Sequence, residues 1–229
     1  MEKEVYSYYA IIVAGGKGKR MHHDLPKQFI PINGLPILMH SINAFHQNEF
    51  KPEIILVLAE VDLKVWQNLI NQYQFDIPHQ IAFGGAERFH SVKNGFSKID
   101  VQNSIIAIHD AVRPLVSQKT ISNCFKTALT KGNAIAAIPS KDSLRSLKDG
   151  LSVSLNRSET YLVQTPQTFQ YSQLKKAYEQ EFSINFTDDA SVVEKAGFPI
   201  LLEAGDQFNF KITFPEDLII AEILLKSDT

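Results

Sequence analysis

Residues 10–21 read Ala-Ile-Ile-Val-Ala-Gly-Gly-Lys-Gly-Lys-Arg-Met: an apolar run, three glycines within four positions, then two cations. The apolar part suits a strand buried on both faces, and glycines let backbone N–H groups approach an anion unobstructed. Two familiar phosphate loops fail here. A Walker A loop needs G-x-x-x-x-G-K-[ST], but Val13 stands five positions before Gly18 and Arg20 stands where Ser or Thr is required. A dinucleotide fingerprint fits Gly16 and Gly18 but meets Met21 at its third glycine. It also lacks a ribose-binding acid about twenty residues on, so a dinucleotide-dependent oxidoreductase is disfavoured. Two readings remain. One is a glycine turn delivering Arg20, and Lys27 after Pro26, beside a phosphate whose charge grows during transfer. The other is a solvated basic loop.

Outward from this turn, short apolar runs alternate with helical patterns. The runs predict strands over residues 8–13, 53–58, 80–83, 104–109 and 133–138. Amphipathic spacing predicts helices over 36–47, 63–73 and 119–131, the last stopping at Gly132. Trp66, Phe125 and Cys124 read as core. Alternation of this kind implies right-handed βαβ units, hence an α/β, Rossmann-like three-layer sandwich with a mostly parallel sheet. Residues 140–157 break the pattern with a polar, weakly alternating stretch that turns at Asp149-Gly150, a β-hairpin arm. Phe208, Phe210, Ile212 and Phe214 alternate as a strand would, placing Lys211 on its polar face. Thr213 and Glu216 have the spacing of a capping box, and Thr187 before two acids reads as a helix N-cap. Residues 1–229 read as a single domain carrying this arm.

Composition limits the partners. Of 229 residues, 23 are Lys or Arg and 25 are Asp or Glu, so the net charge of −2 gives no global field for nucleic acid or anionic membrane. An anionic ligand therefore needs locally placed cations. One cysteine excludes an intrachain disulfide and fits a reducing, cytoplasmic setting. The N-terminus lacks the apolar core of a signal peptide, and no run has the length of a membrane helix.

Further segments give the pattern a family. Residues 14–21 with Pro26-Lys-Gln-Phe, 84–88 (Gly-Gly-Ala-Glu-Arg) with Ser91, 109–114 (His-Asp-Ala-Val-Arg-Pro), 165–167 (Thr-Pro-Gln), 187–191 (Thr-Asp-Asp-Ala-Ser) and 209–213 (Asn-Phe-Lys-Ile-Thr) occur in order. Together they resemble the methylerythritol phosphate cytidylyltransferase family of nucleotidyltransferases, over nearly the whole chain. The resemblance implies transfer of a cytidylyl group from CTP to methylerythritol phosphate, releasing pyrophosphate, in the non-mevalonate isoprenoid pathway, with Mg²⁺ held mainly by the CTP phosphates and no dedicated metal ligands. It implies catalytic roles for Arg20, Lys27, Arg157 and Lys211. It implies a CTP pocket of Ala14, Gly15, Gly16, Gly85, Ala86, Ser91 and Ala111, and acceptor contacts from Asp110, Arg113, Ser143, Thr165 and Thr187. It further implies a homodimer in which the arm reaches the partner subunit.

Two positions depart from the family pattern. Ala86 stands where an acid is frequent, leaving only backbone contact to the base, and Ser143 replaces a threonine while keeping its hydroxyl. The rival readings are a ribitol-5-phosphate cytidylyltransferase and a non-catalytic nucleotide-binding regulator. His109 reads as a structural strand-end histidine, since no serine elbow or third partner accompanies it. His22, His23 and Asp24 read as an exposed loop. Asp110 follows a strand end, where ligands collect in open parallel sheets.

Overall fold

The computed structural model describes residues 5–16 and 25–227. Its first strand, β1 (Ser7–Val13), lies inside the sheet, and Ala10, Ile11 and Ile12 are fully buried. Two very short strands, β2 (Pro31–Ile32) and β3 (Leu35–Pro36), pair with each other and lead into α1 (Ile37–His46). Then come β4 (Glu53–Leu58), α2 (Leu63–Tyr73), β5 (Gln80–Phe83), α3 (Arg88–Phe96), β6 (Ser104–Asp110), α4 (Gln118–Lys131) and β7 (Asn133–Pro139). A hairpin follows, β8 (Arg145–Lys148) and β9 (Leu151–Ser154). The chain returns through β10 (Tyr161–Gln170), α5 (Tyr171–Tyr178), α6 (Asp189–Lys195), β11 (Leu202–Ala204) and α7 (Pro215–Ser227).

The seven-stranded sheet has the order β11-β7-β10-β6-β1-β4-β5. All its pairings are parallel except those of β10, which runs antiparallel between β6 and β7. Alternate β1 residues feed opposite faces, as the two-residue period of a strand requires. Ala10 and Ile12 pack with α1, α2 and α4 around Trp66 and Phe125, while Ile11 packs with α3, α5 and α6. Cys124 is buried in the first of these clusters. A third cluster, around Ile30, Ile37, Val112 and Ile212, packs α7 against the β2-β3 turn. Gly95 lets α3 lie close to the sheet, because a Cβ there would come within 2.8 Å of Val57 and 2.9 Å of Ile11. Helix α4 has Ser117 accepting from the Thr120 amide and ends at Gly132, whose φ of 100° favours glycine.

The hairpin turns at Asp149 (φ 49°) and Gly150 (φ 77°), the positive pair that a tight two-residue connection needs. Three sequence expectations are corrected. Residues 208–214 form no strand: Asn209 N donates to Asp206 O in a turn, Ile212 is buried, and Phe208 and Phe214 are exposed. The start of α7 is capped by Asp217, which accepts from the amides of Thr213 and Phe214, so Thr213 and Glu216 form no capping box. The N-cap of α6 is Asp188, in a reciprocal box with Ser191, and Thr187 stands one residue outside it. Among the described residues no helix is long and apolar enough to cross a membrane.

Candidate active site

Register brings the functional loops together. Val13 aligns with Val57 on one side and with Asp110 on the other, so β1, β4 and β6 end in line. The ladder then continues briefly: Ala14 N donates to Val57 O, Ala111 N to Val13 O and Gly84 N to Leu58 O. The three following loops therefore converge outside the carboxyl ends of parallel strands, where β1 has neighbours reached in opposite directions.

A cavity of about 380 Å³ opens there. It is lined by Ala14, Gly15, Gly16, Gly85, Ala86, Ser91 and Ala111, the full set expected around CTP, with Lys27 and Lys211 beside them. Gly85 has a steric reason to be glycine, because a Cβ would overlap that of His90. Its amide donates to Ser91 Oγ at 3.1 Å, and Ser91 Oγ donates to Glu87 O, so the hydroxyl braces the turn it faces. Lys27 Nζ donates to Ile212 O at 3.0 Å, tying the loop after β1 to the segment carrying Lys211. Buried Gln28 donates to Ala14 O at 3.0 Å and to Asp62 Oδ2 at 3.3 Å, holding the start of the glycine turn. Arg20, and with it Gly18 and the His22-His23-Asp24 stretch, lies outside the described residues.

Next to this cavity is a second of about 330 Å³, lined by Arg88, Asp110, Arg113, Thr165, Thr187 and Lys211 among others. It holds four of the five residues expected around the acceptor. Asp110 is its electrostatic centre. Lys211 Nζ lies 3.1 Å from Oδ2, Arg113 Nε 3.4 Å from the same oxygen, and Arg88 Nε 3.8 Å from Oδ1. Burial alone would raise the carboxyl's pKa. Arg88, Lys211 and Arg113 overcome it and hold Asp110 well below the usual carboxylate range, hence ionised. Arg113 is in turn fixed by donating to Asn209 O at 2.8 Å.

His109 sits fully buried behind this cluster. The Arg113 carbonyl at 3.1 Å can only accept, so His109 Nε2 carries the proton. Nδ1 then accepts from Thr165 Oγ1 at 3.0 Å, while Thr165 Oγ1 accepts from the Asp110 amide at 3.1 Å. Burial pushes the imidazole down to about 4. The unfolded chain takes up this proton near pH 6.5 and the native one does not, so stability is full above pH 6.5 and falls as pH drops toward 4. The expected loss is about 3 kcal/mol across that window. Urea midpoints measured from pH 7.5 to 4.5 should show the slope, and His109→Gln should flatten it; equal slopes would mean the ring is accessible to protons.

Ser143 and Arg157 lie elsewhere. Both are exposed on the arm and line neither cavity, and Arg157 Nη1 donates to Lys141 O at 3.2 Å. Sequence reasoning passed over four polar residues that build the site: Gln28, Arg88, Gln167 and Asp189. All four fell inside quoted motifs, but their roles depend on contacts with residues distant in sequence. Gln167 donates to Asp188 Oδ2 at 2.7 Å and accepts from Ala190 N at 2.9 Å, so β10 fixes the first turn of α6 beside Thr187.

Among the described residues no cluster of three or more His, Cys, Asp or Glu is placed to hold a metal ion. The carboxylates facing the first cavity are Glu87 and Asp110, and Asp110 is already surrounded by cations. That donor set fits a magnesium ion brought in on nucleotide phosphates better than one caged by protein. The two cavities thus offer a glycine-lined pocket with cations at its edge and, beside it, a polar pocket built around one carboxylate.

A sequence-family model described as "IspD: 2-C-methyl-D-erythritol 4-phosphate cytidylyltransferase" matches residues 8–227. A protein of that name from Bacteroides fragilis is 49% identical over 216 residues, which cover 94% of this chain and 98% of the relative. Another from Azobacteroides pseudotrichonymphae is 49% identical over 219 residues, covering 95% and 98%. The crystal structure of 4-diphosphocytidyl-2C-methyl-D-erythritol synthase from Anaerococcus prevotii superposes with a TM-score of 0.82 at 27% identity, covering 96% of each chain.

Proposed function

The chain belongs to the 2-C-methyl-D-erythritol 4-phosphate cytidylyltransferase family, and on that premise we propose how its residues perform the reaction. The enzyme transfers the cytidylyl group of CTP to 2-C-methyl-D-erythritol 4-phosphate in the non-mevalonate isoprenoid pathway. A phosphate oxygen of the acceptor attacks the α-phosphorus of CTP. The new P–O bond forms as the bond to the β-phosphate oxygen breaks, and pyrophosphate leaves with the electron pair.

One observation carries the assignment of sites. Arg88, Asp110 and Lys211 line both cavities, so a nucleotide in the first and a polyol phosphate in the second meet at a wall bearing two cations and one carboxylate. The backbone of residues 14–16 and 84–86 receives the nucleotide. Lys27 faces the charge that grows on the transferring phosphoryl oxygens, a role the family resemblance also gives to Arg20, and Lys211 holds the attacking phosphate. Asp110 and Thr187 orient the acceptor hydroxyls, and Arg113 holds Asp110 in place. Magnesium carried on the CTP phosphates would supply charge neutralisation there and make pyrophosphate a better leaving group. In this reading residues 1–229 are one domain, the enzyme works in the cytoplasm, and two copies pair so that Ser143 and Arg157 complete each other's acceptor pocket.

The test is pyrophosphate release from CTP and Mg²⁺, with methylerythritol phosphate and ribitol 5-phosphate offered separately. Turnover with methylerythritol phosphate alone is expected. Turnover with ribitol 5-phosphate alone would overturn the acceptor while keeping the chemistry. Silence with both, in folded protein that binds CTP, would overturn catalysis in favour of a nucleotide-binding regulator.

A further inference from the structure

Asp189 is an acid with no exposed surface, at the first position of α6, where its carboxylate meets side chains from α3 and α5. Burying a carboxylate is costly unless it is paired and hydrogen-bonded. Asp189 is both: Arg88 Nη2 lies 2.6 Å from Oδ2, and Tyr178, itself buried, donates its hydroxyl to Oδ1 at 2.6 Å. Burial works against the Arg88 charge, but Asp189 and Asp110 more than offset it and the guanidinium stays protonated. Apolar side chains of similar volume stabilise a core as well as such a pair does. What they cannot supply is direction.

Arg88 opens α3 directly after the loop at residues 84–87, and Asp189 opens α6 directly after Thr187 and Asp188. Their contact therefore joins the nucleotide loop to the helix start beside the acceptor pocket. The same guanidinium turns Nε toward Asp110 Oδ1 at 3.8 Å. Without it, among the described residues, Asp110 keeps Lys211 and Arg113 as cationic partners, both on its other oxygen. With Oδ1 unrestrained, the carboxylate can offer both oxygens to Lys211, which it already meets at 3.1 Å, and compete more strongly with the acceptor phosphate for that cation.

We propose that Arg88, anchored by Asp189 and Tyr178, is a positioning residue for the acceptor side of the reaction, setting the orientation of Asp110 and the placement of Thr187. This rests on the acceptor reading of the second cavity. Its signature is a split between the substrates: acceptor binding suffers and nucleotide binding does not.

The experiment compares Arg88→Lys, Tyr178→Phe and the apolar double replacement Arg88→Met/Asp189→Leu with wild-type enzyme. Steady-state pyrophosphate release gives KM for methylerythritol phosphate, calorimetric titration gives CTP affinity, and thermal melting gives stability. Arg88→Lys should raise the acceptor KM about 10-fold with CTP affinity within about 3-fold, and Tyr178→Phe should raise it less. The double variant should melt within a few degrees of wild type yet lose about 100-fold in kcat/KM for the acceptor. An unchanged acceptor KM in a folded Arg88→Lys enzyme would make the pair merely structural. An equal loss of CTP affinity would assign it to the nucleotide pocket instead; either result overturns the proposal. If the double variant does not fold, Arg88→Lys and Tyr178→Phe decide the matter. Wild-type enzyme inactive with methylerythritol phosphate would instead sink the underlying reading of the site.

Discussion

Lys27→Ala should lower kcat by about 10²–10³-fold while raising KM for CTP only slightly, the pattern expected when a contact strengthens in the transition state. The ammonium does not need to be gathered from solvent at the moment of reaction. It is already held by the Ile212 carbonyl at 3.0 Å, on the wall of the first cavity. Its helical turn, Lys27–Phe29, is pinned by Gln28, which is buried and bonded to the carbonyl that precedes the glycines. Such preorganisation costs nothing during reaction, and so acts on the charge that develops as pyrophosphate departs. Arg20→Ala should behave alike, an expectation resting on its place in the glycine-rich segment. Initial rates over a matrix of CTP and acceptor concentrations provide the check. A rise in KM with kcat unchanged would mean that Lys27 binds only ground-state phosphate.

Arg157→Ala is expected to lower kcat/KM by about 10²-fold or more, although the residue is exposed and lines neither cavity of its own chain. An exposed substitution remote from a site ordinarily changes little, so an effect of this size requires the arm to act elsewhere. The arm has the character of a contact surface. Leu147 and Leu151 are 74% and 73% exposed on a two-stranded hairpin, an element that is marginal in water without a partner. Arg157→Ala chains mixed with Arg20→Ala chains should recover about a quarter of wild-type turnover, the fraction of intact sites in randomly paired two-fold dimers. Failure to recover despite demonstrated subunit exchange would place both residues in one chain's site.

Much of the sheet could be read directly from the chain. Strands β4 and β5 occupy the residues expected, and β1, β6 and β7 extend them by one residue, because strands buried on both faces write themselves as unbroken Ile, Val and Ala runs. The Asp149-Gly150 turn was equally legible, since few sequences tolerate two successive positive φ angles. Strand β10 was not. Its pairing partners lie far off in sequence, and Pro166 within it argues locally against a strand, as does the break in register between Val163 and Gln167. Helix α3 was also passed over, because Gly95 weakens its local signal while serving a close approach to the sheet that only the packed structure reveals.

Residues 208–214 show the opposite error. Their period-two alternation is real, but Phe210 and Ile212 pack against the third core cluster while Phe208 and Phe214 face solvent. Side-chain bonds from Asn209 to the Thr165 carbonyl and from Arg113 to the Asn209 carbonyl hold the segment as a loop. Asp188 rather than Thr187 caps α6 for a related reason: Gln167, from another strand, holds the Asp188 carboxylate in place.

Local spacing alone specified the buried strand that runs into Gly15-Gly16, the α/β alternation and the hairpin arm, because each is written over a few residues. That Arg88, Asp110 and Lys211 stand at the meeting of two cavities, with Asp189 and Tyr178 anchoring Arg88 from behind, emerges from the packed fold alone. Those relations join residues more than a hundred positions apart. They follow from strand order and register, which bring distant loops to one edge of the sheet, and no local pattern encodes them.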